Sequence, residues 1–261
     1  MRNGSDGSAG IGGIKKYQER TEKGMKNIAL IIAGGSGQRM HQDIPKQFLN
    51  VYDKPVILYT LEAFQRHPNI DGIVVVCIEG WEAILSAYCR QFNITKLESI
   101  VPGGKNGQDS IRNGVYDIAS RHDDDDLILV HDAIRPMVSE EIISDNIRVA
   151  SKYGNAISVV PCTAAMLKTE DGISSEVQIP RDNLKTTQTP QCASVKTLVE
   201  AHKEALAKGI TSSVATCTMF IELGRTLYFS LGSEKNVKLT TTEDLEIFKA
   251  LLDARKSSWL K

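Results

Sequence analysis

Four short runs of this chain are apolar almost throughout: Ile28 to Ala33 (IALIIA), Ile73 to Ile78 (IVVVCI), Leu127 to Val130 (LILV) and Ala156 to Val160 (AISVV). A strand with one face in water alternates apolar and polar residues. Runs without that alternation belong to strands covered on both faces, as in parallel sheets. Between them lie segments with helical spacing: Val56 to His67, Trp81 to Phe92, Ser110 to Ser120 and Glu140 to Tyr153. Strands alternating with helices predict an α/β layered domain with a mostly parallel sheet. Ligands of such sheets sit outside the carboxyl ends of the strands, so the loops after the apolar runs are where chemistry is expected.

The length of 261 residues fits one large domain or two small ones, and the pattern places residues 25–261 in a single domain. Residues 1–24 are rich in Gly and Ser and have no apolar period. They are expected to stay outside the packed domain, as an appended leader, a mis-assigned start or a disordered tail. They lack the apolar stretch of a secretory signal. Glu170-Asp171-Gly172 lies between two strand-like stretches in Ala164 to Gln178. It predicts a hairpin turn, and the hairpin is expected to project as an arm over about residues 162–187. A helical stretch, Ser194 to Leu206, follows. The chain closes with a helix over Thr242 to Arg255, with Thr242 as its cap and Glu243 and Asp244 in the first turn.

Charge and composition remove several classes. Lys plus Arg is 31 and Asp plus Glu is 32, which speaks against a charge-driven nucleic-acid binder. No run approaches the roughly 18 apolar residues of a membrane span. The five cysteines are scattered without a C-x-x-C pair, so neither a disulfide framework nor a zinc site is indicated, and a reducing cytoplasm is the expected compartment.

The first run ends in Ala33-Gly34-Gly35-Ser36-Gly37-Gln38-Arg39-Met40, with Pro45-Lys46-Gln47 shortly after. Glycines let backbone N–H groups approach a phosphate closely. The third glycine of a dinucleotide fingerprint is absent, and no Gly-Lys-Ser/Thr marks a P-loop. Arg39 and Lys46 behind the glycines suit a triphosphate and the charge that develops in phosphoryl transfer. Without them the glycines would read equally as a tight turn. After the third run comes Val130-His131-Asp132-Ala133-Ile134-Arg135-Pro136. Asp132 is placed to hold a Mg²⁺ ion between phosphates, or else to cap the turn, and Arg135 could grip a phosphate through two N–H groups. His131 is expected to be structural. Asp123 to Asp126 is expected to be a solvated loop, because four successive carboxylates repel one another.

AGGSGQRM with PKQF, then GGKNGQDSI, HDAIRP, QTPQ and NVKLTTTEDL, in this order, resemble the cytidylyltransferases that act on sugar-alcohol phosphates. That family includes enzymes for 2-C-methyl-D-erythritol 4-phosphate and for ribitol 5-phosphate. The resemblance covers about Lys26 to Arg255. It implies a Rossmann-like layered domain of the nucleotide-diphospho-sugar transferase type. The implied activity is Mg²⁺-dependent transfer of CMP from CTP to a polyol phosphate, with release of pyrophosphate. Ala33, Gly34, Gly35, Ser36 and Gly37 would cradle the CTP phosphates. Arg39, Lys46 and Lys238 would stabilise charge at the α-phosphate. Gly104 and Ser110 would lie near the cytosine and ribose, and Asp132 would bind Mg²⁺. Arg135, Arg181 and Thr189 would hold the acceptor. The arm would join two subunits into a homodimer and bring Arg181 to a partner's site. On residue type alone, Arg181 and Lys238 would read as surface charge.

Several positions depart from the methylerythritol pattern. Thr163-Ala164-Ala165-Met166 stands where an Asp-Thr pair is usual, Lys105 to Asp109 lacks the usual Arg, and an Asp is missing near Ser212-Ser213. GQDSI and QTPQ look more like the ribitol branch, so ribitol 5-phosphate is the favoured acceptor and methylerythritol phosphate the alternative. Other classes weighed are a UTP- or GTP-using nucleotide-sugar pyrophosphorylase, a dinucleotide oxidoreductase and an inactive binding module.

Overall fold

A computed structural model describes residues 24–35 and 44–256. In chain order the elements are β1 (Asn27–Ala33), β2 (Asn50–Val51), β3 (Lys54–Pro55), α1 (Val56–Arg66), β4 (Gly72–Cys77), α2 (Glu82–Gln91), β5 (Leu97–Pro102), α3 (Gly107–Ala119), β6 (Leu127–Asp132), α4 (Glu140–Tyr153) and β7 (Asn155–Pro161). Then follow β8 (Met166–Lys168), β9 (Val177–Ile179), β10 (Lys185–Ser194), α5 (Val195–Ala207), α6 (Thr216–Glu222), β11 (Phe229–Leu231) and α7 (Thr242–Lys256).

The main sheet has the order β11-β7-β10-β6-β1-β4-β5. β1, β4, β5 and β6 run parallel, as does β11 on β7, while β10 is antiparallel to both its neighbours. The four apolar runs are four of these strands, and both faces of the sheet are covered. Ala29, Ile31, Val75, Leu127 and Leu129 pack on one side with Ile57, Leu61 and Phe64 of α1 and Ile142 and Ile143 of α4. Ile28, Leu30, Val74, Val76, Ile128 and Val130 pack on the other with Val115 and Ile118 of α3 and Leu198 and Ala201 of α5. Alternate residues therefore enter opposite cores, which is why the runs carry no polar face.

Several local expectations change. β10 contains Pro190, which argues against a central strand. The register slips between Thr187 and Gln191, so no ladder bond is asked of the missing N–H. The hairpin forms, but Asp171-Gly172 is not its two-residue turn. Residues 169–176 make a longer loop in which the Asp171 carboxylate accepts from the N–H groups of Ile173 and Ser174 at 2.9 Å each. The last helix is capped one residue earlier than Thr242. The Thr241 hydroxyl accepts from Asp244 N–H at 3.3 Å, and the Asp244 carboxylate accepts from Thr241 N–H at 2.8 Å.

The acidic run is not wholly solvated. Asp126 is buried, and its carboxylate accepts from Lys26 N–H at 2.8 Å and Asp123 N–H at 3.1 Å. It thereby pins the entry of β1 to the entry of β6. Asp126→Ala leaves both donors unsatisfied and is expected to cost on the order of 2–3 kcal/mol in denaturant unfolding, while Asp124→Ala changes stability by less than about 0.5 kcal/mol. Equal effects of the two would remove the anchoring role.

Candidate active site

At the carboxyl ends of β1 and β6 the strand order reverses direction, leaving a crevice beside the sheet. A cleft of about 870 Å³ opens there, lined by residues of eight chain segments, among them Gly34, Lys46, Gly104, Asp132, Thr189 and Lys238. On its β1 side the backbone is drawn in close. A Cβ on Gly34 would lie 3.3 Å from Ser110 Oγ and 3.4 Å from Gly103 Cα, and one on Gly104 would lie 2.3 Å from Asp109 Cβ. Glycine is required at Gly104 because the loop folds onto the first turn of α3. Ser110 holds it there: its hydroxyl accepts from Gly104 N–H at 3.0 Å and donates to the Asn106 carbonyl at 2.9 Å. Asn106 in turn caps α3, accepting from Asp109 N–H at 2.9 Å.

Behind the glycines, buried Gln47 donates to the carbonyls of Ala33 at 2.7 Å and Gly35 at 3.1 Å. It therefore fixes the end of β1 to the one-turn 3-10 helix (Lys46–Phe48) that carries Lys46. Ser36, Gly37 and Arg39 lie outside the described residues.

The β6 side is a charged lattice. The Asp132 carboxylate lies 3.2 Å from Lys238 Nζ and 3.0 Å from Arg135 Nε. Burial pushes its carboxyl up, but the cations of Lys238 and Arg135 outweigh that and hold it below the usual range. One carboxylate with at least two cations leaves this wall of the cleft net positive. Beneath it, Asp132 N–H donates to Thr189 Oγ1 at 3.1 Å. His131 contacts Thr189 Oγ1 through Nδ1 at 3.0 Å and the Arg135 carbonyl through Nε2 at 3.2 Å. A carbonyl only accepts, so Nε2 carries the proton and the Thr189 hydroxyl donates to Nδ1. Burial drives the His131 pKa down to about 4, so the ring is neutral and both its nitrogens are engaged.

Arg181 stands apart. It is exposed on a one-turn 3-10 helix (Arg181–Asn183) at the root of the arm, donates to the Thr163 carbonyl at 2.6 Å, and does not line the cleft of its own chain. Two residues that support the rim of the cleft, Gln191 in its lining and Gln108 buried behind it, carry no site role in the sequence reading. Gln191 accepts from Cys217 N–H at 2.9 Å, and Gln108 accepts from Ser213 N–H at 2.8 Å. These two amides fasten the loop containing Val214 and Ala215 to the rim. Both lie in quoted motifs, but nothing in the sequence shows which backbone they meet.

Among the described residues no group of three His, Cys, Asp or Glu side chains could hold a metal ion unaided. Mg²⁺ keeps several waters and takes one or two carboxylates plus substrate phosphates, so Asp132 alone on the protein side is chemically compatible with it.

A doubly wound α/β fold with a glycine-lined, cation-walled cleft at its switch point defines the class: a nucleotidyltransferase. The family model for 2-C-methyl-D-erythritol 4-phosphate cytidylyltransferase matches residues 27–254, and the chain belongs to that family of cytidylyltransferases. A ribitol-5-phosphate cytidylyltransferase of Lacticaseibacillus paracasei is 43% identical over 226 residues, covering 86% of this chain and 97% of that protein. A 2-C-methyl-D-erythritol 4-phosphate cytidylyltransferase of Clostridium botulinum is 37% identical over 230 residues, covering 87% and 98%. The crystal structure of the Thermus thermophilus 2-C-methyl-D-erythritol 4-phosphate cytidylyltransferase superposes with a TM-score of 0.70 at 26% identity, covering 88% and 100%.

Proposed function

We propose that the chain transfers CMP from CTP to ribitol 5-phosphate, releasing pyrophosphate and forming CDP-ribitol. The observation that carries this reading is the meeting of Lys46, Lys238 and Arg135 with Asp132 around one glycine-lined cleft. The acceptor choice is supported by the greater identity to the ribitol-phosphate relative and by Ala164-Ala165 where the methylerythritol branch has Asp-Thr.

The reaction needs little proton chemistry. The acceptor is a phosphate monoester, already an anion near neutral pH. One of its oxygens attacks the α-phosphorus in line, the bond from that phosphorus to the β-phosphate oxygen breaks, and pyrophosphate leaves. No base is required, and His131, with both nitrogens engaged, offers none. The obstacle is repulsion between two polyanions. Arg39, Lys46 and Lys238 are assigned to offset it at the α-phosphate, Ala33, Gly34, Gly35, Ser36 and Gly37 to cradle the CTP phosphates, and Gly104 and Ser110 to lie near the nucleoside. Mg²⁺ held at Asp132 would supply further positive charge between the phosphates. Arg135 grips the acceptor phosphate. The Thr189 hydroxyl hydrogen is engaged in its bond to His131 Nδ1 and one lone pair accepts from Asp132 N–H, so the remaining lone pair suits a polyol hydroxyl rather than a phosphate oxygen.

Arg181 serves a partner's site in a homodimer joined through the arm. The exposure of Leu167, Ile173 and Val177 on that arm supports a covering second copy. Residues 25–261 act as one catalytic domain with residues 1–24 outside it. No helix among the described residues is long and apolar enough to cross a membrane, and the free cysteines suit a reducing cytoplasm.

The test is pyrophosphate release with CTP, Mg²⁺ and a panel of ribitol 5-phosphate, methylerythritol 4-phosphate and glycerol 3-phosphate. Ribitol 5-phosphate is expected to give a kcat/KM at least tenfold above the others. Preference for methylerythritol 4-phosphate overturns the acceptor choice, and turnover with UTP or GTP instead of CTP overturns the nucleotide.

A further inference from the structure

Lys238 rides on a loop that is tied down on both sides of it. The loop leaves β11 through Gly232, where a Cβ would lie 2.6 Å from the Val159 carbonyl oxygen, so the backbone runs flush against β7. Gln188 of β10 then takes Ser233 at both of its backbone groups, donating to the carbonyl at 2.9 Å and accepting from the N–H at 3.1 Å. On the far side, Leu239 is buried and its N–H donates to the Ile134 carbonyl at 2.9 Å.

Asn236 lies between these anchors and is fully buried. Its Nδ2 donates to the Thr189 carbonyl at 2.8 Å and to Gln188 Oε1 at 3.3 Å, and its own backbone carbonyl accepts from Arg135 Nη1 at 2.8 Å. One residue thus touches the Thr189 segment, the Arg135 side chain and the loop that carries Lys238. Asp132, which Lys238 Nζ approaches at 3.2 Å, is itself bonded through its N–H to Thr189.

We propose that Asn236 is a positioning residue. Its side-chain amide clamps the 232–239 loop onto β10, so that the Lys238 ammonium is held at Asp132 before the reactants arrive. The inference rests on the role given to Lys238 above. The chemistry requires an amide. Both partners of Nδ2 are acceptors, so an aspartate in the same volume would set its oxygens against the Thr189 carbonyl and Gln188 Oε1, and an alanine would leave both unpaired. Without the clamp the backbone between Ser233 and Leu239 gains freedom, and the cation must be ordered during the reaction rather than in advance.

The experiment is a double-mutant cycle on the full chain with CTP, Mg²⁺ and the acceptor that gives most turnover. Asn236→Ala is expected to lower kcat at least tenfold while moving KM for CTP less than threefold. In a Lys238→Ala background the same change is expected to lower kcat less than twofold, because the group it positions is gone. A structural contribution alone predicts the same factor in both backgrounds, and that result overturns the proposal. Should Asn236→Ala fail to fold by thermal melt, Asn236→Asp, of the same volume, goes through the same cycle. Wild-type kcat in Asn236→Asp, or failure of both variants to fold, also overturns it. Near-normal turnover in Lys238→Ala instead removes the role of Lys238, a distinct outcome.

Discussion

Lys238→Ala and Lys46→Ala are each expected to lower turnover at least a hundredfold while the protein stays folded. The size follows from when the charge matters. A cation that meets the substrate and the transition state equally would alter KM alone, whereas one aimed at charge gathering on the α-phosphate acts on kcat. Removing one preorganised contact of that kind typically costs on the order of 3–4 kcal/mol, and a hundredfold loss corresponds to about 2.7 kcal/mol. Folding should tolerate both changes. The Lys238 side chain is 44% exposed and its loop is anchored through Asn236 and Leu239, while the turn carrying Lys46 is held by Gln47. Single-turnover rates together with thermal melts make the test. Turnover within a few-fold of wild type in both variants would remove the charge-stabilisation mechanism.

Lowering the pH from 7 to 5 is expected to cost about 3–4 kcal/mol of folding stability through two histidines. Burial is the main reason each resists protonation. His131, with Asp132 pulling the other way, falls to about 4, and His202, with Arg112 adding to the burial and Asp109 opposing it, also falls to about 4. In the unfolded chain each titrates near 6.5. Between those values the unfolded state binds protons that the native state refuses. The contribution is therefore complete above about pH 6.5 and declines as pH falls towards 4, at about 1.4 kcal/mol per pH unit for each ring. Urea unfolding at pH 5, 6 and 7 measures it. Neither ring nitrogen of His202 has a hydrogen-bond partner among the described residues, so His202→Leu should remove about half of the slope at little cost at pH 7. An unchanged slope in that variant would reassign the effect.

The elements that were legible in the chain are those whose signal is local. β1, β4, β6 and β7 are visible because burial on both faces leaves no polar alternation, and α1 to α5 because an amphipathic period is written in consecutive residues. β10 was hidden by Pro190, α6 by its seven residues, and β11 by its three. Asp126 illustrates the same limit at one side chain. In sequence it is one of four similar aspartates, and only the nearness of Lys26 N–H turns it into a buried anchor.

The candidate site divides in the same way. Residue chemistry was enough to mark the glycine loop, Lys46, Asp132 and Arg135, because triphosphate chemistry pairs close backbone approach with fixed cations, whereas Lys238 and a cytidylyltransferase activity followed only from the resemblance of the ordered motifs to that family. Which groups share a cleft was beyond them. Asp132 and Lys238 are 106 residues apart and meet at 3.2 Å only because β6 lies beside β10 and Asn236 ties the Lys238 loop to it. Apart from the contact between Gln188 and Asn236 themselves, the hydrogen-bond partners given above for the side chains of Gln47, Gln188 and Asn236 are backbone groups, identical in every residue, so no sequence can name them. Their choice is made by the packing of the sheet.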